Sequence, residues 1–251
     1  MKYLYLLLSL FIIATIQAQT QDTLYVWKAG NLVIKQSVKP VDIDSITFKR
    51  PVVNIPRVTI CNQVWATKNL DVTTYSDGTV IPQIDNQYFW ATLTTGAWCY
   101  YANDTFGGTF YGKLYNWYAV AGIYNAASLN NPALRKNLAP IGWHVPTYAE
   151  WTTLITCLGG EYLAGNKMKE MDTSWFPNSS SATNSSGFTG RPGGYCTPDG
   201  LFFSQRYEGR WWSSSEYLAT ARSLVLYSTS PQAMIGVGSK REGYSVRCIK
   251  D

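Results

Sequence analysis

GWHVPTYAEWTTLITCLGG, Gly142 to Gly160, is the stretch in which every local rule agrees. Thr147 is an N-cap residue and Glu150 follows three positions later, the spacing of a capping box. Pro146 stands just before the cap, where extended backbone is expected. Trp151, Leu154, Ile155 and Leu158 recur at i, i+3, i+4 and i+7, so one helical face is apolar. Tyr148 extends that face by a turn. Gly159 and Gly160 end the helix, because glycine takes the left-handed conformation without a Cβ penalty. A helix of about three turns with one apolar side must bury that side. The segment is therefore a core helix of a globular domain, with Trp143, Thr147, Glu150 and Trp151 as structural residues.

Upstream, Met1 to Ala18 reads as a secretory signal peptide. Lys2 supplies the positive start, Leu4 to Ile16 is nearly continuous apolar sequence, and Ile16-Gln17-Ala18 offers a cleavage site. The run is shorter than the roughly 18–20 residues a bilayer needs, and no stop-transfer charges follow. Export through the Sec pathway and a secreted or cell-surface location are expected, with no transmembrane span in the mature protein. Of the 21 Lys and Arg residues only Lys2 lies in that stretch, so 20 remain against 16 Asp and Glu, a charge of +4. These charges are scattered singly, whereas a nucleic-acid binder needs a basic stripe, so no nucleic-acid partner is expected.

Five cysteines remain: Cys61, Cys99, Cys157, Cys196 and Cys248. Export permits disulfides, and the odd count leaves at least one thiol free or paired to another chain. Their wide spacing excludes a C-x-x-C site, and His144 is the single histidine, so neither zinc nor another metal or cofactor is expected. Cys157 sits about 120° from Trp151 at about 100° per residue, off the apolar face. It reads as an exposed thiol or half of a disulfide to a neighbouring loop, the latter being favoured outside the cell.

The mature chain of about 230 residues divides into an appendage and a domain. Leu24–Trp27 and Leu32–Ile34 flank Ala29-Gly30-Asn31 and suggest a hairpin. Ile43–Phe48 suggests a third strand. Residues 19–50 form this N-terminal β appendage, 51–56 a linker marked by Pro51 and Pro56, and 57–251 the main domain. Within the domain, Leu163–Met171 suggests a second short helix. Asp172 to Gly200 is a long irregular region rich in Ser, Asn, Thr, Gly and Pro, of the kind that usually carries function. Leu201–Phe203, Ser223–Tyr227 and Tyr244–Ile249 are strand-like. In the last, Tyr244, Val246 and Cys248 alternate with Ser245 and Arg247, as in a strand buried on one face. The fold class is α+β, a twisted antiparallel sheet with one or two short helices and long loops.

Chemistry is weakly written. His144 offers either a general base or a packing histidine with its ring bonded to backbone. No nucleophile with an elbow motif accompanies it, which favours packing. Among Asp104, Glu150, Asp199, Glu208 and Glu216, no spacing selects the carboxylate pair that glycoside hydrolysis requires. The run Tyr207–Tyr217, YEGRWWSSSEY, invites a binding reading. Trp211 and Trp212 are adjacent and point to opposite faces of a strand. One should be core; the other lies either at the surface, where an indole can stack on a sugar or an apolar side chain, or beneath the long loop. The candidate ligand-binding residues are Trp211, Trp212, Tyr207, Arg210 and Glu216, with Tyr195 and Asp199 from the polar loop.

NQVWATKNLD (Asn62–Asp71), WCYYAND (Trp98–Asp104), YGKLYNWYAV (Tyr111–Val120), APIGWHVPTYAEW (Ala139–Trp151), LGGEYLAGNKMKE (Leu158–Glu170), WWSSSEY (Trp211–Tyr217) and SVRCIKD (Ser245–Asp251) run in the order of the Fibrobacter succinogenes major paralogous domain, which residues 57–251 resemble throughout. The run ending IDSITF (Ile43–Phe48) resembles a segment that precedes this domain in exported bacterial proteins. The resemblance implies a C-type-lectin-like fold, distantly related to formylglycine-generating enzymes. Pro146–Trp151 is similar to a helix start in those enzymes and Val246-Arg247-Cys248 to their last strand. Such enzymes need two cysteines near that strand, whereas Gly243 stands where a partner for Cys248 would be. The calcium-binding triplets of lectins do not occur. Members of the family commonly have cysteines at the positions of Cys99 and Cys248; Cys61 and Cys157 depart from that pattern, so the pairing stays open. The expected function is non-enzymatic binding or adhesion, with a glycan or a cell-surface protein as ligand. The alternatives are a structural surface subunit assembling through the N-terminal β segment and an enzyme of the formylglycine-generating type.

Overall fold

The computed structural model describes residues 54–171, 174–177 and 181–251 with their side chains, and the backbone of two further strands at 22–28 and 31–38. Two compact units are present, Met1–Val52 and Val53–Asp251. In the first, β1 (Asp22–Lys28) pairs antiparallel with β2 (Asn31–Val38), Lys28 facing Asn31. The signal peptide and the strand expected at Ile43–Phe48 lie outside the described residues.

The second unit runs β3 (Arg57–Ile60), β4 (Gln63–Ala66), α1 (Gln87–Trp90), β5 (Trp98–Cys99), α2 (Thr105–Tyr111), β6 (Leu114–Asn116), α3 (Trp117–Val120), α4 (Ala126–Asn130), β7 (Trp143–His144), α5 (Tyr148–Cys157), α6 (Glu161–Met168), β8 (Tyr195–Cys196), β9 (Phe202–Phe203), β10 (Glu208–Tyr217), β11 (Thr220–Tyr227), β12 (Ala233–Ser239), β13 (Gly243–Tyr244) and β14 (Ile249–Lys250). Three antiparallel sheets result, ordered β10-β11-β12, β5-β6-β13-β8-β9 and β3-β4-β14-β7. The architecture is mixed α and β, with antiparallel sheets and a few short helices.

Helix α5 forms for the reasons its sequence gives. Thr147 Oγ1 accepts from the Glu150 amide, and the Glu150 carboxylate accepts from the Thr147 amide, closing the capping box. Trp151, Leu154, Ile155 and Leu158 are buried. At the other end the Gly160 amide reaches back to the Ile155 carbonyl and the Gly159 amide to that of Thr156. Gly159 has φ +100°, so this is a Schellman stop that uses glycine's access to positive φ. Tyr148 departs from expectation: its ring is 42% exposed and lies under the Arg222 guanidinium, 5.0 Å from ring to Cζ. Helix α6 starts and stops earlier than Leu163–Met171. Lys169 turns extended and sends its buried ammonium to the carbonyls of Tyr227 and Ser230.

Strand β10 divides the interior. Trp211 enters a cluster with Trp65, Trp151, Trp175, Phe188 and Leu154, while Trp212 enters another with Tyr115, Trp117, Tyr244 and Val246. Trp65 and Trp151 pack with ring centroids 4.7 Å apart; Trp212 stacks on Tyr244 at 4.1 Å. Each such indole is worth roughly 4–6 kcal/mol of apolar burial before entropy is subtracted. The long polar region is anchored in the first cluster by Trp175 and Phe188, both buried.

The closing segment corrects the expectation of a half-buried strand. Only Gly243–Tyr244 and Ile249–Lys250 are strand, and they belong to different sheets. Residues 245–248 cross between the sheets and are covered on both sides, so Ser245 and Arg247 are as buried as Val246 and Cys248. Alternation survives in the sequence, but the polar positions point into hydrogen-bonding partners instead of water.

Candidate functional site

The aromatic run does not assemble a binding face. Trp211 and Trp212 are both 0% exposed; of the two places open to the second indole, surface or interior, the structure has the interior one, because each face of β10 meets a separate core. Their indole N–H groups are spent internally, Trp211 on Asn69 Oδ1 at 2.8 Å and Trp212 on the Tyr115 carbonyl at 2.7 Å. The other candidates scatter. Arg210 pairs with Glu208 and lies 4.3 Å over the Tyr195 ring, which brings those two together. Tyr207 packs edge-on against Phe176. Glu216 pairs with Lys240 at 3.0 Å, and Asp199 accepts from Thr197 Oγ1 in its own turn.

A polar pocket of about 210 Å³ lies elsewhere, lined by residues 67–69 and Asp71, the end of α2, Thr189, Arg191 and Arg247. Its organiser is Asn69. The side-chain oxygen accepts from Trp211 Nε1 and from Arg247 Nη2 at 2.7 Å and Nε at 3.2 Å, and the amide nitrogen donates to the Tyr111 carbonyl at 2.7 Å. Gly112, at φ +81°, lets α2 approach this residue; a Cβ there would stand 2.9 Å from Asn69 Cβ. Asn69 thereby ties together three sequence motifs that are far apart in the chain.

Arg247 forms the floor and is 0% exposed. Besides Asn69 it donates to the carbonyls of Ala66 at 2.9 Å, Phe188 at 2.6 Å and Thr189 at 3.2 Å. All five guanidinium N–H bonds are thus satisfied, yet every acceptor is neutral, and no carboxylate pairs with Arg247 among the described residues. Burial first and then the neighbouring Arg191 pull its pKa down to about 9, which keeps it cationic at neutral pH. Arg191 is held bidentately by Glu170, at 2.6 and 2.9 Å, donates to the Phe110 carbonyl, and covers one face of the Phe110 ring at 3.8 Å. Asp71 is paired with Lys113, which also donates to Tyr100 Oη at 3.0 Å. Lys68 is exposed and makes no ion pair among the described residues. With Asp71 and Glu170 each matched by a cation, Arg247 and Lys68 carry the pocket's excess positive charge.

None of Lys68, Asn69, Arg191 and Arg247 stands among the residues the sequence singled out. Asn69 and Arg247 do lie inside two of the ordered motifs, Asn62–Asp71 and Ser245–Asp251.

His144 lies between two carboxylates, Nε2 to Glu150 at 2.8 Å and Nδ1 to Asp251 at 2.7 Å. The expected ring-to-backbone bond is replaced by this bracket. Partial burial opposes the proton, but the hydrogen bonds to Asp251 and Glu150 prevail and raise the pKa above 6.5. Cys61 and Cys157 form a disulfide that joins the β3–β4 turn to α5. Cys99, Cys196 and Cys248 are free and buried. Burial pushes the Cys248 thiol up to about 12, which makes it a poor nucleophile. Among the described residues no group of three His, Cys, Asp or Glu is placed to hold a metal, and no helix is long and apolar enough to cross a membrane.

In comparison with known protein families, the family model described as the Fibrobacter succinogenes major domain matches residues 58–250. No curated protein and no solved structure matches the chain.

Proposed function

The chain belongs to the Fibrobacter succinogenes major domain family, and on that premise we propose that it is an exported, non-enzymatic binding protein that recognises a glycan or protein ligand through the loops of a C-type-lectin-like domain. The observation that carries this reading is the pocket at Asn69 and Arg247, a concave, polar, net-positive recess held open by a rigid hydrogen-bonded floor. The sequence of Met1–Ala18 and the Cys61–Cys157 disulfide support an oxidising, extracytoplasmic setting. The capped helix that follows Pro146 supports the lectin-like reading of the fold. A glycan array and a cell-surface pull-down with the exported chain test it; retention of neither a glycan nor a protein sinks it.

One observation favours a second reading, a surface subunit that assembles through its N-terminal segment. Strands β1 and β2 form a two-stranded sheet, so among the described residues each has an unpaired outer edge open to strand addition. Size measurement with and without residues 19–50 decides: a monomer in both cases ends it.

A further inference from the structure

Among the described residues no carboxylate pairs with Lys68 or Arg247, and the rim has unused donors. Of the five N–H bonds of Arg191, Glu170 and the Phe110 carbonyl take three, leaving two without an acceptor among the described residues. Lys68 adds a free ammonium on the same rim. Below them the Arg247 charge is fixed, and its hydrogen-bond acceptors are all neutral. An anion in the recess would therefore be bonded by the rim and attracted by the floor, in surroundings less screened than open solvent.

The rest of the lining narrows the anion. Thr67 lines the recess, Thr109 and Thr189 donate their hydroxyls to the carbonyls of Phe106 and Gly187 and so face a ligand only as acceptors, and the half-exposed carboxylate of Asp71 also accepts hydrogen bonds. A carboxylate next to an anion site is unfavourable unless the ligand also brings donors. A sugar acid brings several hydroxyl donors around its carboxylate, whereas a peptide side chain offers only the backbone N–H groups further away. Phe110, 42% exposed, adds apolar surface at the entrance, with Arg191 over one face of its ring and Tyr111 packed at right angles, 4.9 Å between centroids. The volume of about 210 Å³ is below the range usual for drug-sized ligands, roughly 300–1,000 Å³, so one ring enters and no more.

We infer that this pocket binds a single acidic sugar of the uronate class, its carboxylate on Arg191 and Lys68 above the Arg247 charge and its hydroxyls toward Asp71 and the threonines. This rests on the binding-protein reading above and adds to it the site and the ligand chemistry.

The test is a ligand-observed NMR titration of the exported chain with galacturonate and glucuronate, with galactose and glucose as neutral counterparts, and with N-acetylglutamate as a carboxylate that lacks the ring. At least one uronate should bind, at least about tenfold tighter than its neutral counterpart, a difference worth about one charge-assisted hydrogen bond. Lys68→Ala, on an exposed side chain that folding does not need, should weaken it by up to about fivefold, and raising salt to about 0.5 M should weaken it further. Equal binding of neutral sugars overturns the uronate assignment while leaving the binding-protein reading intact. Equal binding of N-acetylglutamate replaces the sugar by a peptide carboxylate. Uronate binding indifferent to both Lys68→Ala and salt overturns the location. Absence of binding to every probe here overturns the inference, and absence on the glycan array and in the pull-down as well overturns the reading beneath it.

Discussion

Trp212 and Arg247 are equally hidden from water, and they are hidden for opposite reasons. Trp212 is enclosed by Tyr244, Tyr115 and Trp117 and has nothing left to offer a ligand. Arg247 has its hydrogen bonds satisfied by neutral acceptors and, among the described residues, no carboxylate paired with its charge. The difference teaches where to look for function in an aromatic-rich chain: rings fill the interior, while a buried charge without a counter-charge leaves a field that reaches an open recess.

The strongest way to break the comparison is to truncate the rings. Trp211→Ala and Trp212→Ala should each lose about 3–5 kcal/mol of stability, the usual cost of a large buried cavity, read by denaturant unfolding. If either variant keeps wild-type stability, its indole is not core. Reducing the Cys61–Cys157 bridge, or Cys61→Ser with Cys157→Ser, comes next. The bridge spans a sequence separation of 96, and its loss should cost about 3 kcal/mol. Because it ties α5 to the β3–β4 turn, away from the pocket, uronate affinity at temperatures where the protein stays folded should not change.

Arg247→Met sharpens the other side. It removes the charge but keeps an apolar stem, leaving the carbonyls of Ala66, Phe188 and Thr189 and the Asn69 oxygen short of donors. About 2–4 kcal/mol of stability should be lost, and acidic-ligand binding should fall along with it. A variant that binds galacturonate normally would separate the charge from the site.

The smallest effect belongs to His144. Its pKa is raised in the folded protein, so its contribution is complete below about 6.5 and is lost as pH rises through the raised value. Glu150 is lowered: burial works against this, but bonds from the Thr147 amide and His144 prevail. Its contribution is present above about 4.5 and is lost as pH falls through the lowered value. The bracket therefore stabilises most between about pH 4.5 and 6.5. Both groups are partly solvated, so the amplitude should stay below about 1 kcal/mol. Unfolding measured across pH should lose its alkaline slope in His144→Gln; an unchanged slope would place the titration elsewhere.

Helix α5 was legible because cap, apolar face and glycine stop are all local, and its buried residues follow from spacing alone. The strands β1, β2, β9 and β11 were legible by β-rich runs. The pocket was not. Asn69 and Arg247 are 178 positions apart, and nothing in either neighbourhood announces that three backbone carbonyls and one amide converge on the guanidinium. The alternation of Tyr244–Ile249 misleads because period two reports which side a residue faces and not whether that side is wet. The adjacent tryptophans show the same limit: spacing gives opposite faces, and leaves open whether the second face is wet, which here it is not. Pairing of Cys61 with Cys157 required the approach of α5 to the β3–β4 turn, which spacing cannot give.

The most direct test measures unfolding free energy and galacturonate affinity side by side in Trp212→Ala and Lys68→Ala. The account predicts that Trp212→Ala loses several kcal/mol of stability while its folded fraction binds as the wild type does, and that Lys68→Ala stays within about 0.5 kcal/mol of wild-type stability and binds more weakly. The reverse pattern, a stable Trp212→Ala that no longer binds beside a Lys68→Ala that binds normally, would contradict it.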